Sequence, residues 1–140
     1  MAGGCQARQH YRMKQFSMKW GKSKKARKQR KYRDNLPLHA RIKLMNAHLS
    51  KELRGKYKRR HFPVKTGDKV KILRGQFKKR EGKIERVDRK KERLFIEGIE
   101  IVKKEGSKAL MPVHPSNVVI LDLNMSDKKR KNKLEGGVKK

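Results

Sequence analysis

"VKTGDKVKILRGQFKKREGKIERVD", residues 64–88, is the stretch on which the fold of this chain turns. Its first half alternates. Val70 and Ile72 fall on one side of an extended backbone and Lys69, Lys71 and Leu73 on the other, the period of a half-buried strand. The alternation stops at Gly75 and resumes after Gly82, where Ile84 turns inward again. Glycine accepts φ > 0 or a close backbone approach, so the residues between the two glycines read as a turn anchored at both ends. Arg74 at the strand exit and Lys78, Lys79 and Arg80 at the tip load that turn with cations. Charge on an anchored turn keeps a fixed geometry and can match one arrangement of phosphates, whereas a tail of equal charge attracts without register.

Downstream, "RLFIEGIEIVKK" offers Leu94, Ile96, Ile99 and Ile101 to a core, with Gly98 marking a bend or bulge. "SKALMPVHPSNVVILDL" ends in the apolar run Val118–Leu121. Five short strands at close spacing with glycine-bearing turns predict a mostly β domain, a small barrel spanning residues 63–123. Upstream, residues 35–62 read as a pair of short helices. Leu38, Ile42 and Met45 recur at helical spacing, as do Leu49 and Leu53. Pro37 suits a first helical turn, Ser50 an N-cap and Gly55 a stop, while Pro63 ends the helical region. Residues 1–34 hold twelve Lys or Arg before Asp34, the first acid, and read as an arm disordered until it binds, with Tyr11, Phe16, Trp20 and Tyr32 interleaved as stacking candidates for unpaired bases. Residues 124–140 read as a basic tail that frays beyond a helical turn begun by Ser126.

The whole chain has 140 residues, 43 Lys plus Arg, 13 Asp plus Glu and a formal net charge of +30. Like charges at that density repel in a compact state, so the composition calls for a polyanion, and a basic chain with an aromatic-studded arm points to nucleic acid. With 34% hydrophobic residues the chain supports one small core. No run approaches the roughly 18–20 apolar residues of a membrane span, and the start "MAGGCQARQHYRMKQF" lacks the apolar stretch of a secretory signal. Cys5 is the sole cysteine, which excludes an intramolecular disulfide framework and cysteine-based zinc sites and fits a reducing compartment. His39, His48, His61 and His114 are scattered, no GxxxxGK loop occurs, and no acid pair sits in an apolar context, so neither catalytic residues, a metal site, a cofactor nor a small-molecule substrate is expected. Asp68, Glu81 and Asp88 are expected to pair with Lys or Arg, or to cap turns.

"GDKVKILRGQFKKREGKIERVD" resembles a KOW motif, and with "KQRKYR", "LPLHARIKLM", "LSKELRGKY" and "HPSNVVI" in the same order it resembles the large-subunit ribosomal protein family numbered twenty-four in bacteria and twenty-six in eukaryotes, in its archaeal and eukaryotic branch. The resemblance runs from about Arg27 to Arg130. It implies an SH3-like barrel that binds large-subunit rRNA near its 5′ region, supports early subunit assembly, and lies beside neighbouring ribosomal proteins at the nascent-chain tunnel exit of the cytoplasmic ribosome. The implied RNA-facing residues are Lys24, Lys25, Arg27, Lys28, Arg30, Lys31 and Arg33 in the arm, Lys56, Lys58, Arg59 and Arg60 in "GKYKRRH", the turn residues Arg74, Gly75, Lys78, Lys79 and Arg80, and His114, Ser116 and Asn117 before the last strand. The family usually has glycine where this chain has Lys79; a positive φ there would cost lysine on the order of 1 kcal/mol. "KKEGSK", residues 103–108, is the expected tunnel-side hairpin. A free-standing KOW transcription elongation or antitermination factor is the alternative, because such factors carry the motif too.

Overall fold

The computed structural model describes residues 16–136, and the chain divides at Pro37 and Leu38 into two compact units. The first unit contains a 3-10 turn, Met18–Lys22, and helix α1, Ala26–Asn35. Here the sequence reading expects an arm without structure of its own. Lysine, arginine and glutamine are good helix formers, and Gln29 ties the helix to the preceding turn: its Nε2 donates to the carbonyls of Trp20, Gly21 and Ser23 at 3.3, 3.0 and 2.6 Å. Phe16 and Tyr32 pack with ring centroids 5.5 Å apart, and Lys31 Nζ lies 4.7 Å from the Trp20 ring. The readings of residues 1–15, Tyr11 and Cys5 included, and of 137–140 fall outside the described residues.

The second unit runs through α2 (Leu38–Arg41), a 3-10 turn Ile42–Met45, β1 (Asn46–Leu49), α3 (Lys51–Tyr57), β2 (His61–Pro63), β3 (Lys69–Ile72), β4 (Glu81–Asp88), β5 (Arg93–Val102), β6 (Lys108–Val113), a 3-10 turn Pro115–Asn117, β7 (Val118–Asp122) and α4 (Lys128–Glu135). The strands form one seven-stranded sheet in the order β2-β1-β7-β3-β4-β5-β6. Every pairing is antiparallel except β1 with β7, which is parallel. Among the described residues β2 and β6 remain edges, so strand pairing yields an open sheet and not the closed ring that the word barrel implies.

Two of the seven strands lie where the sequence reading has helix. Met45, Ala47 and Leu49 are each 1–2% exposed while His48 faces out, a period of two. Met45 and Leu49 are also four apart, which satisfies a helical stripe equally well, and that ambiguity hides β1. Its partner β2 straddles the boundary expected between residues 62 and 63, and Phe62, 2% exposed, faces the same core. Ser50 does cap α3, its hydroxyl accepting from the Leu53 amide at 3.3 Å. The helix passes Gly55, however, and ends at Lys58 with φ 50°. It continues because Tyr57 packs against the core.

The inward residues of β3 and β4 match the alternation in the sequence: Val70, Ile72 and Ile84 are buried. In β5 the inward set changes parity at Gly98, which has φ 77°: Leu94 and Ile96 are buried before it and Ile99 after it. From Phe95 to Glu100 β5 advances five residues while β6 advances two, from Pro112 to Leu110, and this odd excess flips the following side chains to the other face. Ile101, expected in the core, is 44% exposed; it pairs with Ala109 near the exposed end of the β5–β6 hairpin. Gly82 serves by close approach: a Cβ there would lie 2.5 Å from the Glu97 carbonyl oxygen and 2.8 Å from Ile96 Cγ2.

The C-terminal segment, expected to fray, forms α4. Asp127, not Ser126, caps it, accepting from the Lys129 amide at 2.9 Å. Leu134 is fully buried, and the Arg130 guanidinium grips Asp68 with two bonds of 2.7 Å. Arg130 also donates to the carbonyls of Asn124 and Pro63, while Asp68 accepts from the amides of Lys65 and Asn124. Both carboxylate oxygens and both terminal guanidinium nitrogens of this buried pair are thus fully engaged in hydrogen bonds.

Candidate nucleic-acid interface

The turn between β3 and β4 is closed by backbone bonds at its neck, Ile72 N–H to the Arg80 carbonyl and Lys79 N–H to the Ile72 carbonyl, both 2.9 Å. Two tighter turns lie inside it: the Lys78 amide donates to Gly75, and the Arg80 amide to Phe77, both at 3.1 Å. These closures need two left-handed residues, Gly75 at φ 95° and Lys79 at φ 71°. Gly75 adopts this without strain; Lys79 meets the condition under which lysine in place of glycine is costly. Phe77, 9% exposed, belongs to the core cluster and plugs the turn into the domain, with the Arg80 guanidinium 5.1 Å from its ring. The cations thus stand on a backbone fixed by four hydrogen bonds and a buried ring.

Local carboxylates leave the tip uncompensated. Glu81 takes Lys71 at 3.1 Å and Lys69 at 3.6 Å, and the Lys71 hydrogen bond in particular holds its carboxyl below the usual carboxylate range. Among the described residues, Arg74, Lys78, Lys79 and Arg80 have no ion-pair partner. Asp88, on the opposite end of β4, engages its carboxylate with the amides of Lys91 and Lys90, which lower its pKa.

The loop before β7 lies against this turn. The Leu73 amide donates to the Asn117 carbonyl at 2.8 Å, and Arg74, Gly75 and Phe77 share with Arg93, His114 and Asn117 a cleft of about 230 Å³. His114 Nδ1 accepts from the Ser116 amide at 3.3 Å and lies 2.8 Å from the Ser116 hydroxyl. With Nδ1 accepting, the neutral ring carries its proton on Nε2, which faces Glu92 Oε2 at 3.8 Å. The fold therefore brings two of the expected groups together, the Arg74–Arg80 turn and the His114, Ser116 and Asn117 loop. Arg93 joins them unanticipated, because only the strand register places it there.

The expected residues at the end of α3 and after it do not join that cluster. Lys56, Lys58, Arg59 and Arg60 leave α3 for β2, at the sheet edge, with β1 and β7 between β2 and β3. Arg59 Nε is buried without a hydrogen-bond partner. Lys24, Lys25, Arg27, Lys28, Arg30, Lys31 and Arg33 belong to the first unit, where α1 carries all of them from Arg27 onward. No cluster of three or more His, Cys, Asp or Glu able to hold a metal occurs among the described residues, and none of their helices is long and apolar enough to cross a membrane.

Comparison with known proteins supplies a context for this geometry. The family described as ribosomal proteins, L26 in eukaryotes and L24 in archaea, matches residues 23–136. A curated protein of Methanospirillum hungatei, named large ribosomal subunit protein uL24, is 48% identical over 114 residues, which cover 81% of this chain and 95% of that protein. A protein of the same name from Methanosphaera stadtmanae is 45% identical over 112 residues, covering 80% of this chain and 96% of its own length.

Proposed function

We infer the work of this chain from its family: it belongs to the ribosomal proteins known as L26 in eukaryotes and L24 in archaea. It is accordingly a structural constituent of the large ribosomal subunit, in the cytoplasm, and not an enzyme. Beyond that, its role is to bind large-subunit rRNA near the 5′ region during early assembly, beside neighbouring proteins at the nascent-chain tunnel exit, with "KKEGSK" as the tunnel-side hairpin. The SH3-like reading applies to β3–β7, whose order β7-β3-β4-β5-β6 is a meander with its last strand returned beside its first.

The observation that carries this reading is the turn at 74–80: unpaired cations on a backbone fixed by hydrogen bonds and by Phe77. Phosphate contacts position a protein without reading sequence, so the turn sets register while the polar loop at His114 and Asn117 meets RNA of matching shape. Long-range attraction by the arm cations precedes docking, and its Trp20 and Tyr32 suit stacking on unpaired bases. The elongation-factor alternative rests on the KOW motif alone, and no observation favours it.

The test is the variant Lys78→Ala/Lys79→Ala/Arg80→Ala, assayed against a 5′-region rRNA fragment. Its affinity should fall at moderate salt, with the log–log salt slope shallower by about 2–2.7, or 0.7–0.9 for each phosphate no longer engaged, while its melting temperature does not fall. Unchanged affinity in a folded variant removes the turn from RNA binding.

A further inference from the structure

On another part of the second unit, α4 and the end of β2 enclose a cleft of about 300 Å³ that the rRNA-facing residues above do not touch. Its floor is apolar, made by Met45, Phe62, Val64 and Val87. Its rim is basic: Lys65, Arg89, Lys129 and Lys133 surround one carboxylate, Asp127, which is already paired with Lys65 at 3.5 Å. Among the described residues Arg89, Lys129 and Lys133 have no ion-pair partner. Lys129 and Lys133 are four apart on one helix, a spacing at which like charges repel, and Arg89 adds a third charge from the end of β4. Arg130, neutralised by Asp68, presents its guanidinium beside Phe62, 5.5 Å from the ring centroid.

We propose that this cleft receives one unpaired RNA nucleotide, its base against the apolar floor and its flanking phosphates on Lys129, Lys133 and Arg89. The volume is at the lower end for a site that encloses a small-molecule-sized group, which suits a single base better than a peptide helix. Bases stack readily on aromatic and guanidinium faces, and the free charges on the rim are positive. The proposal rests on the chain being an RNA-binding ribosomal protein and adds a contact that favours single strand over duplex.

Fluorescence anisotropy of the full chain with a short single-stranded RNA, and with the A-form duplex of equal length, over a salt series tests it. The wild type should prefer the single strand. Lys129→Ala/Lys133→Ala should make the single-strand salt slope shallower by about 1.4, at 0.7 per phosphate contact. Val87→Trp, which fills the cleft, should abolish the single-strand preference while duplex binding persists. An unchanged slope in the lysine variant overturns the proposal whether or not Val87→Trp folds, as does a folded Val87→Trp that keeps the preference. Loss of polyglutamate binding in Val87→Trp with RNA binding intact would assign the cleft to an acidic peptide and also overturn it. Failure of the wild type to bind either RNA, or the 5′-region rRNA fragment, would instead sink the functional reading above.

Discussion

Lys79 is where the interests of the proposed RNA contact and of folding separate. At φ 71° it occupies a conformation in which its Cβ crowds the backbone, yet its N–H, donating to the Ile72 carbonyl, helps close the turn. Left-handed backbone costs an L-residue roughly 1–2 kcal/mol, and glycine would recover that while adding roughly 0.5–1 kcal/mol of lost chain freedom. Lys79→Gly should therefore stabilise the domain by up to about 1.5 kcal/mol in urea denaturation and, on the proposed reading, weaken rRNA binding by one phosphate contact. A loss of stability would mean that lysine makes some native contact that outweighs its strain. The same physics explains why the two glycines bracketing the turn are not equivalent. Gly75 needs only its φ of 95°, with open space where a Cβ would stand, whereas Gly82 needs the space itself.

Among the elements, α4 is held by few contacts of high quality. The Asp68–Arg130 pair is buried and bidentate, and removing one partner of such a pair leaves an uncompensated charge, a loss of about 3–5 kcal/mol. Arg130→Ala should lower the urea midpoint accordingly and expose Phe62 and Val64, while Lys131→Ala, on the exposed side, should change it little. Asp127 adds a pH dependence. Its carboxyl is held below the usual range first by the Lys129 amide and then by the charge of Lys65. A carboxylate depressed on folding contributes stability above its unfolded pKa and loses it as pH falls through the folded one. The helix should accordingly be unaffected from pH 7 to about 5 and weaken below about 4, whereas Asp127→Asn, which keeps an N-cap oxygen, should flatten that acid limb in a circular-dichroism titration. Legibility follows the same division between local and distant. Val70, Ile72, Ile84 and the Gly75 turn are readable because each depends on neighbours in sequence. The strand β1 is not, because Met45 and Leu49 satisfy two periods and its parallel pairing with β7 joins residues far apart in the chain, such as His48 and Val119. Arg130 in a lysine-rich run gives no local sign that its partner is Asp68, 62 positions away. The cleft beside α4 is invisible in sequence for that reason, and so is Arg93 beside the turn.

For the molecule as a whole, a net charge of +30 makes salt act with opposite signs on the free and bound states. In the free protein the cations of the Arg74–Arg80 turn and of α4 in the second unit, and those of α1 within the first, repel their neighbours through solvent, and raising ionic strength shortens the screening length to about 10 Å at 0.1 M. Screening should raise the melting temperature of the free chain. α1 has no acidic residue in its first turn and no side-chain N-cap, so its helicity should rise with the same addition of salt. In the proposed rRNA complex phosphates would neutralise those cations, each contact releasing counterions as it forms; affinity should then fall by about 0.7–0.9 log units per contact for every tenfold rise in salt. Calorimetric melting of the free chain and anisotropy titration with a 5′-region rRNA fragment, across one series from about 50 to 500 mM salt, measure both signs on the same preparation. A melting temperature that falls with salt in the free chain would mean that intramolecular ion pairs outweigh the repulsion. The polyanion would then be a ligand of a self-sufficient fold rather than the counter-charge that lets this one stay compact.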